Sequence, residues 1–453
     1  MRWRLDGGRW LLVSLTAVVG SAVADGVAGP ESEAMPHTAV SPSSCLPRHF
    51  SNPNADHERV YGPSERAILS RAAFEEAMAE IGAWPGYAPT PLRSLPGLAR
   101  EAGIDRLWYK DESTRFALGS FKALGGAYAV LRLLAREVTV RVPGVPVTAL
   151  DLVVGRYAKV TRTLTVTTAT DGNHGRSVAW GAQVFGCNCV VYVPAACSPG
   201  RRAAIEAYGA RVVVVDGPYD DAVRYAAADA AEQGWFVVSD TSYTGYMDVP
   251  RDVMQGYTVM VEEAISQLPA SERPTHVFVQ GGVGALPAAV CGHLWESWGR
   301  QRPRFVVVEP HSADCLYQSA VAGRPVRAQG DLDTVMAGLA CGEVSLLAWA
   351  ILERGADDFL TIPDEGAVTA MRKLAEGGHG GRPVVGGESG VAGLAGLLCA
   401  AAHEEVRLAL GLVPDARVLV FGTEGATDPE VYERIVGRSA EMVAEGLLSA
   451  AGR

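Results

Sequence analysis

Lys122 stands in the run Gly119-Ser120-Phe121-Lys122, two residues inside a helix that Ser120 is placed to cap, ahead of an apolar stretch. The positive end of a helix dipole lowers the pKa of a lysine there. A neutral amine is the form that makes a Schiff base with an aldehyde. Alone, such a lysine is more often a solvated surface residue, and only its company argues otherwise.

A second group is Gln280-Gly281-Gly282-Val283-Gly284-Ala285, which follows an apolar strand and opens a helix. Backbone amides of such a loop, with the helix N terminus behind them, wrap a phosphate. A dinucleotide fingerprint needs a third glycine further on, and Pro287 follows Leu286 here instead. A single phosphate ester suits the loop better than a pyrophosphate.

Three more corners lie between strands and helices. Asp171-Gly172-Asn173-His174-Gly175 places a carboxylate and an amide where ligands of α/β sheets bind, and Asp240-Thr241 ends another strand in the same way. For either aspartate, helix capping is the commoner role. Gly386-Gly387-Glu388-Ser389-Gly390 and Gly422-Thr423-Glu424-Gly425 complete the set, with ordinary turns as the plain alternative.

The elements that must position these residues alternate strand and helix. From about Gly62 the reading gives a helix from Ser64 to about Gly82, a strand at Leu107–Tyr109, and the helix carrying Lys122. Then come strands at 164–168, 188–193, 211–216 and 235–240, each followed by a helix, then strands at 276–280 and 304–310. Helices around 344–354 and after Gly390 precede a last strand at 417–423 and a final helix. Apolar strands separated by helices predict parallel sheets covered on both faces, an α/β fold. Residues 138–160, Val-rich with two prolines, read as an insertion, and residues 35–60 as a mobile arm.

Composition narrows the function. The chain has 453 residues, 48% hydrophobic and 20% charged, with 40 Lys+Arg against 51 Asp+Glu and a net charge of −11. An acidic chain without a basic block argues against nucleic acid and anionic membrane surfaces as partners. Eight cysteines are too few for a disulfide scaffold. With no CxxC or HxxxH, no metal site is expected. All eight read as thiols, with Cys187 and Cys189 buried along a strand; Cys315 and Cys341 could lie near each other.

The ordered set GSFKALGGA, ATDGNHGRSVAWGA, QGGVGA, GLACGE, GESGVAGL and TEGATDP resembles fold-type II pyridoxal-phosphate enzymes. It resembles the diaminopropionate ammonia-lyase family more than threonine dehydratase, over roughly residues 60–437. The resemblance implies two parallel-sheet domains with pyridoxal 5'-phosphate in the cleft: a large one from 61–124 and 251–440, and a small one from 125–250, behind an arm of 1–60. It implies Lys122 as the Schiff-base lysine and later proton shuttle, and Asn173 on the cofactor phenolate oxygen. The loop Gly281, Gly282, Val283, Gly284 and Ala285 would hold the phosphate, and Thr423 would face the pyridine nitrogen. Asp171 and Asp240 match carboxylates facing the substrate, able to hold its β-ammonium group; one of them could serve as a base of opposite hand to Lys122. His174 and Arg176 are weaker candidates, the first packing under the cofactor and the second structural.

The implied reaction is α,β-elimination of 2,3-diaminopropionate, an amino acid substrate, to pyruvate and two ammonia. The alternatives are a serine/threonine dehydratase, a non-catalytic pyridoxal-phosphate-binding protein and, distantly, a nicotinamide oxidoreductase. The family is usually homodimeric, and no C-terminal regulatory domain is expected. Arg2, Arg4 and Arg9 before the apolar run Trp10–Ala24, ending Ala22-Val23-Ala24, resemble a signal peptide. A natural start at Met35 is the rival. The phosphorylated cofactor and the lack of an evident disulfide framework favour the cytoplasm, with export as the alternative.

Overall fold

The computed structural model describes residues 45–446 except 145, 171, 218 and 379, together with the backbone of 2–6 and 9–13. Arg2–Asp6 and Arg9–Val13 pair as antiparallel strands. The Ala22-Val23-Ala24 pattern and Met35 lie outside the described residues.

Two sheets carry the rest. The first has seven strands in the order Arg48–Ser51, Asp358–Ile362, Arg304–Pro310, His276–Gln280, Arg417–Gly422, Arg106–Asp111 and Leu92–Ser94. Its five inner strands are parallel and the two edge strands antiparallel to them. The second has four parallel strands in the order Arg211–Val215, Asn188–Pro194, Thr165–Ala169 and Phe236–Val237. Every residue of His276–Gln280 is buried. Such a strand, covered by helices on both faces, reads as an unbroken apolar run rather than an alternating one. The α/β expectation holds. Among the described residues no helix is long and apolar enough to cross a membrane.

Several local expectations are corrected. The stretch from Ser64 to Gly82 is two helices, Pro63–Arg66 and Arg71–Gly82, because the Ser70 hydroxyl accepts from the Ala73 amide and starts the second. Strand Asp358–Ile362 and helix Asp364–Ala375, absent from the sequence reading, form the sheet's flank. The described part of the arm is built in: Arg48–Ser51 pairs with Asp358–Ile362, and His49 Nε2 meets Asp358 Oδ1 at 2.8 Å. Four residues are too few to show a period.

The helix opened by Lys122 runs on to Arg141, into the stretch read as an insertion. Short helices at Ala149–Val153 and Ala158–Thr161 follow it, burying Leu152. The reading of all cysteines as thiols fails at one pair: Cys45 and Cys399 form a disulfide that ties the start of the described chain to helix Ala392–Ala402. Cys187, Cys189, Cys197, Cys291, Cys315 and Cys341 are in no disulfide.

Candidate active site

A cavity of about 810 Å³ is lined by residues on loops and helix starts beside the sheets, among them Lys122, Asn173, Asp240, Gly284, Glu388 and Thr423. Lys122 is the first residue of helix Lys122–Arg141, with its amide donating to the Ser120 hydroxyl at 3.2 Å. That helix lies unusually close to its neighbours. A Cβ on Gly126 would sit 2.0 Å from Ser177 Oγ, and one on Gly256 2.0 Å from the Leu124 carbonyl oxygen. Both contacts admit only hydrogen, so the helix is clamped between Asn173–Phe185 and Asp248–Gln267. The loop before it carries Phe116 and Ala117 at φ 50° and 58°. Such left-handed residues persist where their surroundings over-determine them. Here Arg115 does so, donating to Glu112 at 2.8 Å and to Glu263 at 2.7 Å, with Lys110 also on Glu263 at 2.8 Å.

Lys122 Nζ donates to Asp240 Oδ2 at 2.6 Å. Burial alone would lower the Lys122 pKa, but the charge of Asp240, with Tyr257 and the Asp240 hydrogen bond, raises it well above the ordinary lysine value. The expectation of a helix-dipole-lowered amine is therefore overturned, because an adjacent full charge outweighs the half charge of a helix end. Asp240 is opposed by burial, yet Lys122 and His174 hold it down to about 2. His174 is buried and meets the Val238 carbonyl oxygen through Nε2 at 2.9 Å.

Asn173 opens its helix, and its side-chain amide donates to Glu424 Oε2. Glu424 Oε1 also accepts from the amides of Ser389 at 3.0 Å and Gly390 at 3.2 Å. Next to it, Glu388 meets Arg201 at 3.1 Å, and Arg201 also reaches Asp428 at 3.2 Å. Burial, then the charge of Glu424, push Glu388 up to about 8 despite Arg201. Glu424 is raised as well, first by burial. Asp171 lies outside the described residues.

The glycine loop turns from strand to helix at Gly284, whose φ of +100° favours glycine. Helix Ala285–Trp298 starts there, and its first-turn amides have no intrahelical acceptor. A Cβ on Gly282 would lie 3.1 Å from Cys341 Sγ and 3.5 Å from the Gly338 carbonyl oxygen, filling the space beside the loop. Gly282, Val283, Gly284 and Ala285 line the cavity. Gly281 instead packs beneath them, its amide donating to the Val308 carbonyl at 2.9 Å. An anion cradle and a lysine in one cavity fit an aldehyde that carries a phosphate ester.

Comparison with known proteins agrees with that fit. A family model described as pyridoxal-phosphate dependent enzyme matches residues 83–423. Diaminopropionate ammonia-lyase of Escherichia coli K12 is 41% identical over 365 residues, covering 79% of this chain and 90% of that protein. The chain belongs to the diaminopropionate ammonia-lyase family. Its cofactor is pyridoxal 5'-phosphate and its fold is fold-type II. The holo crystal structure of the Escherichia coli lyase superposes with a TM-score of 0.78 at 36% identity, over 86% of this chain and 97% of that one. A complex of the same lyase with an aminoacrylate–cofactor azomethine reaction intermediate superposes with a TM-score of 0.77 at 36% identity, over 86% of this chain and 97% of that one.

Against the residues expected in a diaminopropionate ammonia-lyase, one cavity gathers Lys122, Asn173, Asp240, Gly282 to Ala285 and Thr423. The sequence reading missed Glu388, Glu424, Arg201 and Gln280 as functional groups. Glu388, Glu424 and Gln280 sit inside the quoted motifs GESG, TEGATD and QGGVGA, which was the available signal.

Proposed function

We propose that this chain cleaves 2,3-diaminopropionate to pyruvate and two ammonia by α,β-elimination, consuming one water. The observation that carries the reading is the lysine–carboxylate pair, Lys122 and Asp240 at 2.6 Å, in a cavity that also holds an anion-binding glycine loop. Bound pyridoxal phosphate supplies the aldehyde that captures an amine and the conjugated ring that accepts electrons released at Cα.

The residues divide the rest of the work. Lys122 is the attachment point and, once displaced by substrate, the base for the α-proton of the L-isomer. Asp240 accepts Lys122's hydrogen bond, orients the amine and exchanges a proton with it. Asp171 is assigned the α-proton of the D-isomer, on its place two residues before Asn173. The carboxylates Asp240 and Asp171 suit a substrate with a β-ammonium group, which they can hold and which departs as ammonia. Asn173 would donate to the cofactor's phenolate oxygen, the amides at Gly282–Ala285 would hold its phosphate, and Thr423 would meet its ring nitrogen. The released enamine hydrolyses to pyruvate and the second ammonia.

The test is pyruvate release from D- and L-2,3-diaminopropionate, DL-serine and L-threonine by the holoenzyme. Fast turnover of the diamino acid supports the reading; preference for serine or threonine replaces it with a dehydratase. Asp171→Asn should cost the D-isomer about 10²–10⁴-fold while sparing the L-isomer. Equal loss for both would end the two-base assignment.

The proposed assembly is a homodimer, as is usual in the family, and light scattering of the holoenzyme checks it. The proposed compartment is the cytoplasm, on the nature of the cofactor. One observation favours export instead, the Cys45–Cys399 disulfide. Fractionation of cells making the full chain, with thiol trapping at lysis, separates the two.

A further inference from the structure

Gln280 ends the strand His276–Gln280 and is fully buried. Its Nε2 lies 2.9 Å from the Gly390 carbonyl oxygen, 3.0 Å from the Phe421 carbonyl oxygen and 2.6 Å from Thr423 Oγ1. The two carbonyls fix which way the amide points, because the flipped side chain would set Oε1 against two carbonyl oxygens. The amide nitrogen has two hydrogens for these three acceptors, so one hydrogen is shared, and it has no lone pair to offer. Thr423 Oγ1 can therefore only accept from it. Gln280 Oε1 is left buried with no partner among the described residues. An orphaned buried acceptor costs stability, and here it accompanies an orientation that puts the nitrogen on all three acceptors.

The hydroxyl proton of Thr423 is then free. Thr423 is buried and lines the cavity, and its hydroxyl has no acceptor of its own among the described residues. We infer that Gln280 is a positioning residue that turns the Thr423 hydroxyl proton into the cavity, so that this hydroxyl donates to the cofactor ring nitrogen and never accepts from it. The inference rests on the proposed placement of that nitrogen against Thr423. Its consequence is a ring nitrogen that keeps its lone pair engaged by a neutral donor and stays unprotonated. Without Gln280 nothing would hold the hydroxyl's lone pair away from the cavity, and its proton would no longer be directed at the ring nitrogen. Thr423 would then be present but silent.

The test is NMR of the holoenzyme loaded with cofactor labelled at the ring nitrogen. Gln280→Met, of similar volume but without a donor, should move the ring-nitrogen resonance to where Thr423→Val puts it. Thr423→Ser should leave the resonance at its wild-type position. Release of the cofactor from Gln280→Met should be faster by about 3- to 10-fold, the loss of one hydrogen bond. A folded, loaded Gln280→Met with the wild-type resonance would overturn the inference. Should that variant fail to fold, neutron diffraction from the deuterated wild-type holoenzyme decides. A deuteron on Thr423 Oγ1 aimed at the ring nitrogen supports the role of Gln280. One aimed at a backbone carbonyl, or carried by the ring nitrogen itself, ends it. A ring nitrogen lying away from Thr423 in the same map would instead remove the cofactor placement, and the inference with it.

Discussion

Lys122 Nζ and Asp240 Oδ2 lie 2.6 Å apart in the lining of the cavity, and each holds the other charged. The contact cuts two ways. It orients the amine, and it keeps that amine protonated when a Schiff base needs it neutral. Capture of the cofactor by the cofactor-free chain should therefore release a proton and quicken as pH rises.

Asp240→Asn separates the two effects. It removes the charge that raises Lys122, and each pKa step downward gives about tenfold more free amine at a fixed pH. Stopped-flow absorbance at neutral pH should show cofactor capture at least about tenfold faster in the variant. Turnover of diaminopropionate should meanwhile fall by about 10²–10⁴-fold, the usual worth of a positioned proton carrier. Capture no faster than wild type would show that Asp240 does not govern the lysine. In the cofactor-free chain the pair also has a pH signature. Asp240 is lowered from 3.8 to about 2, so its share of the stability is present above 3.8 and disappears as pH falls through about 2.

Glu388 behaves with the opposite sign. Its pKa is raised from 4.5 to about 8, so the folded chain holds its proton more tightly than the unfolded chain. That stabilisation is whole below 4.5 and is lost as pH rises through about 8. Glu388→Gln keeps the shape and removes the titration. Thermal melts of the holoenzyme from pH 5 to 9, a span that crosses the raised pKa, should show a smaller decline in the variant than in wild type. A parallel decline in both would assign the loss to other groups.

The buried cluster ahead of Lys122 makes a third case. Arg115 is nearly inaccessible and serves both Glu112 and Glu263. Arg115→Met leaves two buried carboxylates short of a counter-charge, a loss of about 3–5 kcal/mol. Since the same arginine anchors Phe116 and Ala117 at positive φ, cofactor affinity should drop with the stability. Urea unfolding and fluorescence titration of the cofactor measure the two. A variant as stable as wild type would mean the cluster is ornamental to the fold.

These cases mark what the residues alone could tell. Lys122 and Asp240 were legible because each sits in a short run at a strand or helix end, where local pattern and position coincide. Parallel strands such as His276–Gln280 were legible for the same reason, as unbroken apolar runs between helices. The partnerships were not. Gln280 reaches Thr423 across 143 positions and Arg201 reaches Glu388 across 187, and no periodicity carries information over such spans. Lys122's protonation was misjudged because its deciding neighbour is 118 residues away. Strand Arg48–Ser51 escaped for a different reason: it is a short edge strand whose register is set by its neighbour Asp358–Ile362.

The disulfide is the extreme of that pattern, joining Cys45 to Cys399 across 354 residues. Its sulfurs pack against Gly366, where an added Cβ would come within 2.9 Å of Cys45 Sγ and 3.1 Å of Cys399 Sγ. A cross-link over so long a loop restricts the unfolded chain strongly, and removing one costs about 2–5 kcal/mol. Cys399→Ser should therefore lower the melting temperature of the holoenzyme, and a reducing agent should lower that of the wild type to the same level without affecting the variant. The bond closes neither the cavity nor the Lys122 helix, so kcat and cofactor affinity at 25 °C, a temperature far enough below the transition of an ordinary domain, should stay at wild-type values. Limited proteolysis should cut first near residue 45 in the variant, where the strand Arg48–Ser51 has lost its tether. An unchanged melt under reduction would show that the sheet pairing of Arg48–Ser51, with the His49–Asp358 contact, holds this edge unaided.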